Sequence, residues 1–308
     1  MINRESEREA LIVQSHRAEL VERIARAVPE DGRIDPFEGL FLRRSSSTME
    51  SLHAIAKPAF CLIAQGSKEI FVGEHRYQYD PYHYLLATVE MPVVGHVIEA
   101  SKERPYLAMG LLLDSTLVSS VMLEARCPSL QSRNDVRAFD VSPLSVTLLD
   151  AVVRLVRLLD SPADIPILAP LITREIIYRL LMSEQGNRLR HIANLGGHSH
   201  RITRAVERLQ KDFNQPLSIE SIARETGMSV SSFHHHFKAV TEMTPLQFQK
   251  RVRLQEARRL MLSENLDASS AGYRVGYDDV SHFSREYKRL FGDPPMRDVQ
   301  RLRETARV

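Results

Sequence analysis

Hydrophobic positions follow different spacings along the chain. In residues 4–28 apolar side chains recur every three to four positions among charged ones, which predicts an amphipathic helix. From Leu40 to about Leu113 the apolar runs are short, rich in branched and aromatic residues, and separated by turns that contain glycine and proline. This second pattern predicts a small sandwich or barrel, with a hairpin at Gly73-Glu74.

Helical spacing returns after residue 114. Three stretches predict helices, namely STLVSSVMLEA, SPLSVTLLDAVVRLVRLLDSP and ILAPLITREIIYRLLMSEQGN. The second stretch is apolar on more than one side between Leu148 and Leu159, which is more apolar surface than one core contact needs. Either both faces pack inside the monomer, or one of them meets a second chain.

Two short patterns near the C-terminal end lie about fifty residues apart. In each, small or apolar residues lead to a glycine, capping side chains follow, and aromatic residues then share one helical face. The glycines are Gly227 and Gly276, and the aromatic pairs are Phe233 with Phe237 and Phe283 with Tyr287. Each pattern predicts a helix-turn-helix, whose second helix enters the major groove of DNA. Residues 245–263 predict one helix that connects the two units.

The predicted recognition helices place polar side chains opposite the buried aromatic residues. The outward positions are Ser231, His234 and His235 on the first helix and Ser281, His282 and Arg285 on the second. Arg285 can pair with guanine through two hydrogen bonds, which is worth about 1–3 kcal/mol of discrimination. Candidates for phosphate contact are Arg201, Arg204, Arg251 and Arg253. The alternative is a polar helix face that is only solvated.

The motifs resemble those of a known family. Residues 199–303 resemble the DNA-binding domain of the AraC/XylS family of bacterial transcription regulators, in the stretches SIESIARETGMSVSSFHHHFKAVTEMTPLQFQKRVRLQEARRLM and VGYDDVSHFSREYKRLFGDPP. One position departs from the family, because Gly272 stands where alanine is usual. The stretch GEHRYQYDPYHYLLATVEMPVVGHVIEAS and the following PYLAMGLLLD resemble the cupin-like sensory domain of one AraC subfamily.

The resemblance implies a transcription regulator that binds double-stranded DNA and a small-molecule effector. Its recognition helices, about residues 229–239 and 280–291, would contact bases through the six outward positions. Activation is the commoner mode in this family, so we predict an activator that contacts RNA polymerase. The resemblance also implies a homodimer, for which the helix at residues 143–159 is our candidate interface.

Length and charge divide the chain in two. A chain of 308 residues suggests two domains. The net charge is −3 over residues 1–198 and +5 over residues 199–308, so the predicted DNA-binding half is the basic half. We predict an α+β fold in three parts. These are a cupin-like β-barrel sensory and dimerisation domain with flanking helices (residues 1–185), a linker (186–198), and an all-α domain with two helix-turn-helix units joined by a linker helix (199–308).

Cysteine content and hydropathy restrict the location of the protein. Cys61 and Cys127 are too few for a metal cage and do not suggest a disulfide scaffold. No apolar run reaches the roughly 18 residues that a membrane span needs, and the first residues are charged. We therefore predict a cytoplasmic protein with no membrane contact.

The histidines do not form a metal-binding pattern. His234, His235 and His236 diverge by about 100° from one to the next around a helix, so they cannot converge on one ion. The histidines of the predicted barrel, His53, His75, His83 and His96, lack His-x-His spacing. We predict no metal, no cofactor and no catalytic site. The rival hypothesis is a cupin-type metal-dependent enzyme fused to a DNA-binding tail.

The interior of the predicted barrel is the expected place for an effector. Candidates by alternation are Phe60, Leu62, Tyr77, Tyr79, Tyr84 and Met109. The alternative is that these side chains only fill the core. Because the candidates are aromatic or aliphatic and none is charged, the pattern favours a small apolar or weakly polar molecule.

Overall fold

A computed structural model describes residues 2–48, 52–126, 137–193 and 198–305. The first of these ranges begins with helix α1 (Ile2–Ala27), as the spacing of residues 4–28 predicts. The strands of the N-terminal half are β1 (Gly32–Phe37), β2 (Leu40–Ser45), β3 (Leu52–Ala56), β4 (Ala59–Gln65), β5 (Ser67–Val72), β6 (His75–Tyr79), β7 (His83–Ala87), β8 (Met91–Glu99), β9 (Tyr106–Leu112) and β10 (Phe139–Pro143).

The strands form two antiparallel sheets. One sheet has the order β1-β2-β9-β4-β7-β10, and the other has the order β3-β8-β5-β6. The predicted hairpin is confirmed, since β5 and β6 pair across a turn in which Gly73 has a φ of +60°. Among the described residues no strand pairing joins the two sheets, so the domain is an open sandwich. The predicted α+β fold with a sheet-rich N-terminal domain is confirmed, with the correction that the two sheets do not close into the predicted barrel.

A layer of helices covers the outer face of the six-stranded sheet. The helices of this half are α2 (Ser115–Glu124), α3 (Val146–Arg157), α4 (Ile165–Leu181) and α5 (Gly186–Ala193). Strand alternation separates two cores: Phe60 and Leu62 of β4 face the helices, whereas Ile63 faces the second sheet. Helix α5 forms part of the predicted linker, so that junction is partly helical; the domain limits themselves stay predictions.

Helix α3 is buried within the monomer. Its apolar residues on both sides, including Val152, Val153 and Val156, have no exposed surface because α1, α4 and the six-stranded sheet enclose them. Of the two interpretations of this broad apolar helix, internal packing is the correct one. The predicted dimer interface at residues 143–159 is therefore wrong.

The C-terminal half is entirely helical in the residues described. Its helices are α6 (His198–Lys211), α7 (Ile219–Glu225), α8 (Val230–Thr241), α9 (Pro245–Ser263), α10 (Ala268–Arg274), α11 (Val280–Phe291) and α12 (Pro295–Thr305). Two helix-turn-helix units, α7–α8 and α10–α11, joined by the linker helix α9, are confirmed. Thr244 and Gln247 cap α9 reciprocally, and Pro245 occupies its first turn, where a missing N–H costs nothing.

The first unit and the sandwich share a hydrophobic core. Apolar residues from between the two sheets are continuous with Val206, Phe237 and Val252 of the helical half. The second unit has a separate cluster built on Phe283, Tyr287 and residues of α9. Within the ranges described, none of the helices combines the length and apolar character needed to cross a membrane.

Candidate nucleic-acid interface

Both recognition helices begin at a side-chain cap after a glycine turn. Gly227 and Gly276 have φ angles of +65° and +88°, which glycine adopts without a steric penalty. Ser229 then accepts a hydrogen bond from the backbone of Ser232 at 3.2 Å, and Asp279 accepts one from Ser281 at 2.8 Å. The caps are fifty residues apart, whereas the glycines are forty-nine apart, so the second turn is one residue longer.

The six predicted base-reading residues lie on two exposed helix faces. Ser231, His234 and His235 are exposed on α8, and Ser281, His282 and Arg285 are exposed on α11. The aromatic residues Phe233 and Phe283 on the opposite faces are completely buried. Counted from the caps, Ser231 corresponds to Ser281 and His235 corresponds to Arg285. The two helices therefore present similar polar surfaces that differ mainly in charge.

The four arginines predicted to contact phosphate fall into two groups. Arg201 and Arg204 are exposed on α6 and line a groove of about 380 Å³ beside the turn at Gly227. Arg251 is half-buried against the N-terminal half, 3.5 Å from the carbonyl oxygen of Gly73, and burial lowers the pKa of its guanidinium. The geometry favours the first two as phosphate contacts and disfavours Arg251.

Arg253 joins the two units instead of facing solvent. Its guanidinium donates hydrogen bonds to the carbonyl oxygens of Phe213 at 2.6 Å, Gln215 at 2.8 Å and Gly276 at 2.9 Å. The first two carbonyls precede the first unit, and the third lies in the turn of the second unit. Arg253 therefore fixes the position of one unit relative to the other, and the geometry disfavours it as a phosphate contact.

A buried carboxylate that the sequence analysis missed holds the second unit together. Asp298 of α12 has no exposed surface, and it accepts two hydrogen bonds from Arg258, each of 2.7 Å. The hydroxyl of Tyr287 donates to the same carboxylate at 2.7 Å, and Arg301 donates at 2.8 Å. A buried carboxylate with these donors ties α9, α11 and α12 into one body.

Glu242, also missed by the sequence analysis, ends the first recognition helix in a strained conformation. Its φ of +61° is left-handed, a conformation that costs a residue with a Cβ roughly 1–2 kcal/mol. The equivalent residue of the second unit, fifty positions later, is Gly292, with a φ of +88°. The sequence contains one indication that Glu242 is unusual, because the equivalent position of the second unit is a glycine.

The side chain of Glu242 is buried in the N-terminal half. The hydroxyl of Tyr77 donates a hydrogen bond to its Oε1 atom, and His75 Nδ1 lies 3.2 Å from its Oε2 atom. Its backbone carbonyl contacts Gly73 so closely that a Cβ there would clash. Burial raises the pKa of the Glu242 carboxyl, and burial with this hydrogen bond raises the pKa of Tyr77. The tip of the β5–β6 hairpin thus contacts the end of the recognition helix.

The six predicted effector residues do not line one chamber. Phe60, Leu62, Tyr84 and Met109 belong to the core under the helices, whereas Tyr77 and Tyr79 belong to the core between the sheets. The six-stranded sheet separates the two groups, so they cannot hold one ligand together. A groove of about 660 Å³ lies elsewhere, between the end of this sheet and helices α2 and α4.

Within the described ranges, no group of three or more His, Cys, Asp or Glu side chains is placed to hold a metal ion. His53 is half-buried against the ring of Phe291 at 4.7 Å, and burial lowers its pKa to about 4. His83 pairs with Asp80, and His96 with Glu69. Cys127 lies outside the described residues. These histidines thus contact protein groups on separate parts of the fold.

The fold and the two exposed helix faces define a DNA-binding transcription regulator. Two family descriptions match the chain: the N-terminus of AraC-type transcriptional regulators over residues 36–188, and a helix-turn-helix domain over residues 222–301. The chain belongs to the AraC/XylS family, with the AraC-type N-terminal domain of one subfamily. It is a regulator and not an enzyme, so the rival hypothesis of a cupin-type enzyme is not supported.

Curated relatives resemble the C-terminal half. The HTH-type transcriptional activator RhaS of Escherichia coli (strain SE11) is 28% identical over 133 residues, which cover 43% of this chain and 47% of RhaS. RhaS of Escherichia coli (strain K12 / DH10B) gives the same identity and coverage. The match therefore spans about half the length of these relatives.

Solved structures of ToxT from Vibrio cholerae share the whole fold. An apo ToxT variant has a TM-score of 0.55 at 12% identity, with 85% of this chain and 97% of ToxT covered. Wild-type ToxT with a bound unsaturated fatty acid has a TM-score of 0.53 at 12% identity, with 88% and 96% covered. At this identity the similarity establishes a common architecture.

Proposed function

We propose that this protein is a cytoplasmic, sequence-specific activator of transcription, controlled by a small molecule in its N-terminal domain. Residues 1–185 would sense the molecule, residues 186–198 would form the junction, and residues 199–308 would bind DNA. The similarity to RhaS, described as a transcriptional activator, supports the activating role and hence a contact with RNA polymerase.

The proposal that this protein reads bases rests on the exposure of the six predicted positions. All six are exposed on helices whose opposite faces are buried, which is the arrangement that a major-groove reader needs. The two helices would enter successive major-groove segments about 34 Å apart, with Arg253 holding their separation. Arg201 and Arg204 would contact phosphates beside the first helix.

Arg285→Ala tests base reading. The variant should lose preference at one base pair by about 5- to 150-fold, because a two-bond contact to guanine contributes about 1–3 kcal/mol. Non-specific binding should be nearly unchanged. The measurement is a mobility shift of the full chain on its own upstream DNA over a salt series, with Arg297→Ala as an exposed-arginine control. Equal losses on all sequences would contradict the assignment.

Control by the N-terminal domain is supported by the contact at Glu242. A ligand that shifts the β5–β6 hairpin would shift the residue that ends the first recognition helix, since His75 and Tyr77 hold its carboxylate. A ligand changes such an equilibrium only by its different affinity for the two arrangements. The ToxT structure described as bound to an unsaturated fatty acid supports a small-molecule ligand in this architecture.

A homodimer would need a different surface from the one predicted. Helix α4 exposes an apolar row, in which Ile167 is 67% exposed and Leu171 59%, and Tyr178 and Met182 continue it at helical spacing. We place the dimer contact on this row, because exposed apolar rows of this kind mark interfaces. Leu171→Arg should convert the protein to a monomer in sedimentation, whereas Leu123→Arg on α2 should not. A wild-type chain that is monomeric at micromolar concentration would contradict the proposal.

A further inference from the structure

Both recognition helices begin with a valine that lies outside the hydrophobic cores. Val230 follows the cap Ser229, and Val280 follows the cap Asp279, so the two valines hold the same position in the two units. Val230 is 40% exposed, and Val280 is half-buried. Neither valine belongs to a hydrophobic cluster of the described residues or packs against one. The two units thus repeat an apolar residue at a position where core packing does not require one.

Each valine begins a row of side chains along its helix. Residues four positions apart are neighbours on a helix, so Val230 lies in one row with His234, a predicted base-reading residue, and with Lys238. The row of α11 runs from Val280 to Lys288, and both lysines are exposed. Each row therefore has an apolar residue at the beginning of the helix and a cation near its end. Base edges lie inside the groove and phosphates at its rim, so this order suits a helix that enters the groove with its first turn.

Valine presents its methyl groups in a nearly fixed direction at this position. Its χ1 angle has one strongly preferred rotamer in a helix, and the hydrogen bond from Ser232 to Ser229 holds the backbone of the first turn. Thymine carries a methyl group in the major groove, and apolar side chains recognise it by contact. A stiff apolar side chain can cover this methyl group with little loss of conformational entropy.

We propose that Val230 and Val280 each contact the methyl group of a thymine, and that the two thymines lie about one helical turn of DNA apart. This inference rests on the proposed function, because it needs both helices in the major groove. It adds two apolar contacts to the six polar positions. The valines would select thymine at base pairs where hydrogen bonds alone do not detect its methyl group.

Replacement of thymine by uracil in the DNA tests the methyl contact without changing the protein. Uracil keeps the hydrogen-bonding groups of thymine and lacks only the methyl group. The full chain first selects a preferred duplex from random-sequence DNA, and each thymine of that duplex is then replaced in turn. Wild type should bind about 4-fold more weakly when either of two thymines is replaced, because burial of one such group is worth about that factor. The two thymines should lie about 10 base pairs apart. A selected duplex that tolerates every replacement would overturn the proposal.

Val230→Ser and Val280→Ser assign each thymine to one helix. Serine removes both methyl groups and has a helix propensity similar to that of valine, so the helix itself is not weakened. Each variant should bind the thymine and uracil forms equally at one position and should keep the 4-fold difference at the other. Met296→Ser is the matched control, since Met296 is 49% exposed in the first turn of α12, which is not a recognition helix. This control should keep both differences. Thymine preference at both positions in either valine variant would also overturn the proposal.

The proposed function and the valine contacts fail in different ways. If the full chain selects no duplex from random-sequence DNA, base reading is wrong, and the valine contacts are wrong with it. If a duplex is selected and Arg285→Ala changes its base preference, base reading stands. Tolerance of uracil at every position of that duplex would then overturn the valine contacts alone.

Discussion

The two helix-turn-helix units have the same design and different surroundings. Counted from their caps, Ser229 and Asp279, both recognition helices run for twelve residues and end in left-handed residues, Glu242 and Gly292. The first unit shares its core with the sandwich. The second unit has its own core with α9 and α12, and it meets the N-terminal half where Phe291 touches His53. One unit is thus built into the sensory half, and the other is built onto the linker helix.

The residues that end the two recognition helices differ in backbone strain and in their contacts. Gly292 is exposed, and a Cβ there would meet nothing within 4 Å. Glu242 has a strained, left-handed backbone conformation, and its side chain is buried against the β5–β6 hairpin. Strain of this kind persists where the surroundings over-determine it, often at switch regions. We infer that the first unit carries the control and that the second supplies a constant contact with DNA.

Breaking the core of the second unit should have the largest effect. Asp298→Ala leaves the buried guanidinium of Arg258 without its partner, which costs about 3–5 kcal/mol of unfolding free energy. Urea unfolding of the full chain should show α10–α12 unfolding early while the sandwich and the first unit remain. Asp293→Ala is the control, because its pair with Arg301, at 3.7 Å, is partly exposed and contributes at most about 1 kcal/mol. Equal losses in both variants would contradict the separate core.

Removing the charge at the end of the first helix should have a smaller, pH-dependent effect. The pKa of Glu242 is raised above its ordinary value of 4.5 in the folded protein. Its contribution to stability is therefore complete below pH 4.5 and is lost as the pH rises through the folded pKa. The groups that face it are Tyr77, His75, Arg137 and Arg188.

Glu242→Gln keeps an acceptor for Tyr77 without the charge. The variant should be more stable than wild type at pH 8 and no more stable at pH 4.5, because it removes the cost of burying an ionised carboxyl. Melting temperatures of both proteins across this pH range measure the difference. Glu264→Gln, an exposed residue on the second unit's side, is the control. Parallel pH curves for wild type and Glu242→Gln would refute the assignment.

Making the first helices of the two units alike should have the smallest effect. Gly272 is the counterpart of Ala223, four residues before the turn glycine in each unit. Alanine at 272 gains about 1 kcal/mol of helix propensity, but its Cβ would lie 3.1 Å from the Phe283 ring, closer than ordinary contact. We expect Gly272→Ala to change the unfolding free energy by less than about 0.5 kcal/mol. A larger loss in urea unfolding would show that the ring cannot move.

The sequence predicted the helical half more closely than the sandwich, for physical reasons. Caps, turn glycines and aromatic spacing are local signals, so Ser229, Gly276 and Phe283 place the recognition helices to within a residue or two. Alternation identifies strands but not their partners, so it cannot tell an open sandwich from a closed barrel. Periodicity also does not show what covers an apolar helix, so the broad apolar surface of α3 is as consistent with a dimer interface as with internal packing.

The missed residues depend on contacts between distant segments. Asp298 and Arg258 are forty residues apart, and Glu242 meets Tyr77 across 165 positions. In the sequence, Glu242 is marked only by the glycine at the equivalent position of the second unit, and Asp298 is not marked at all. The DNA-facing positions could be predicted because a helix face depends only on spacing, whereas these two contacts depend on how distant segments pack.

The core that runs from the sandwich into the first unit restricts how this protein can be divided or recombined. A fragment that begins at α6 would lack the sandwich part of this cluster and would uncover apolar side chains of the first unit such as Val252 of α9, and we expect it to aggregate. A sensory domain exchanged between regulators would have to bring a matching hairpin with it. The sandwich and the first unit would therefore have to evolve together, whereas the second unit could change independently and adapt to new operators.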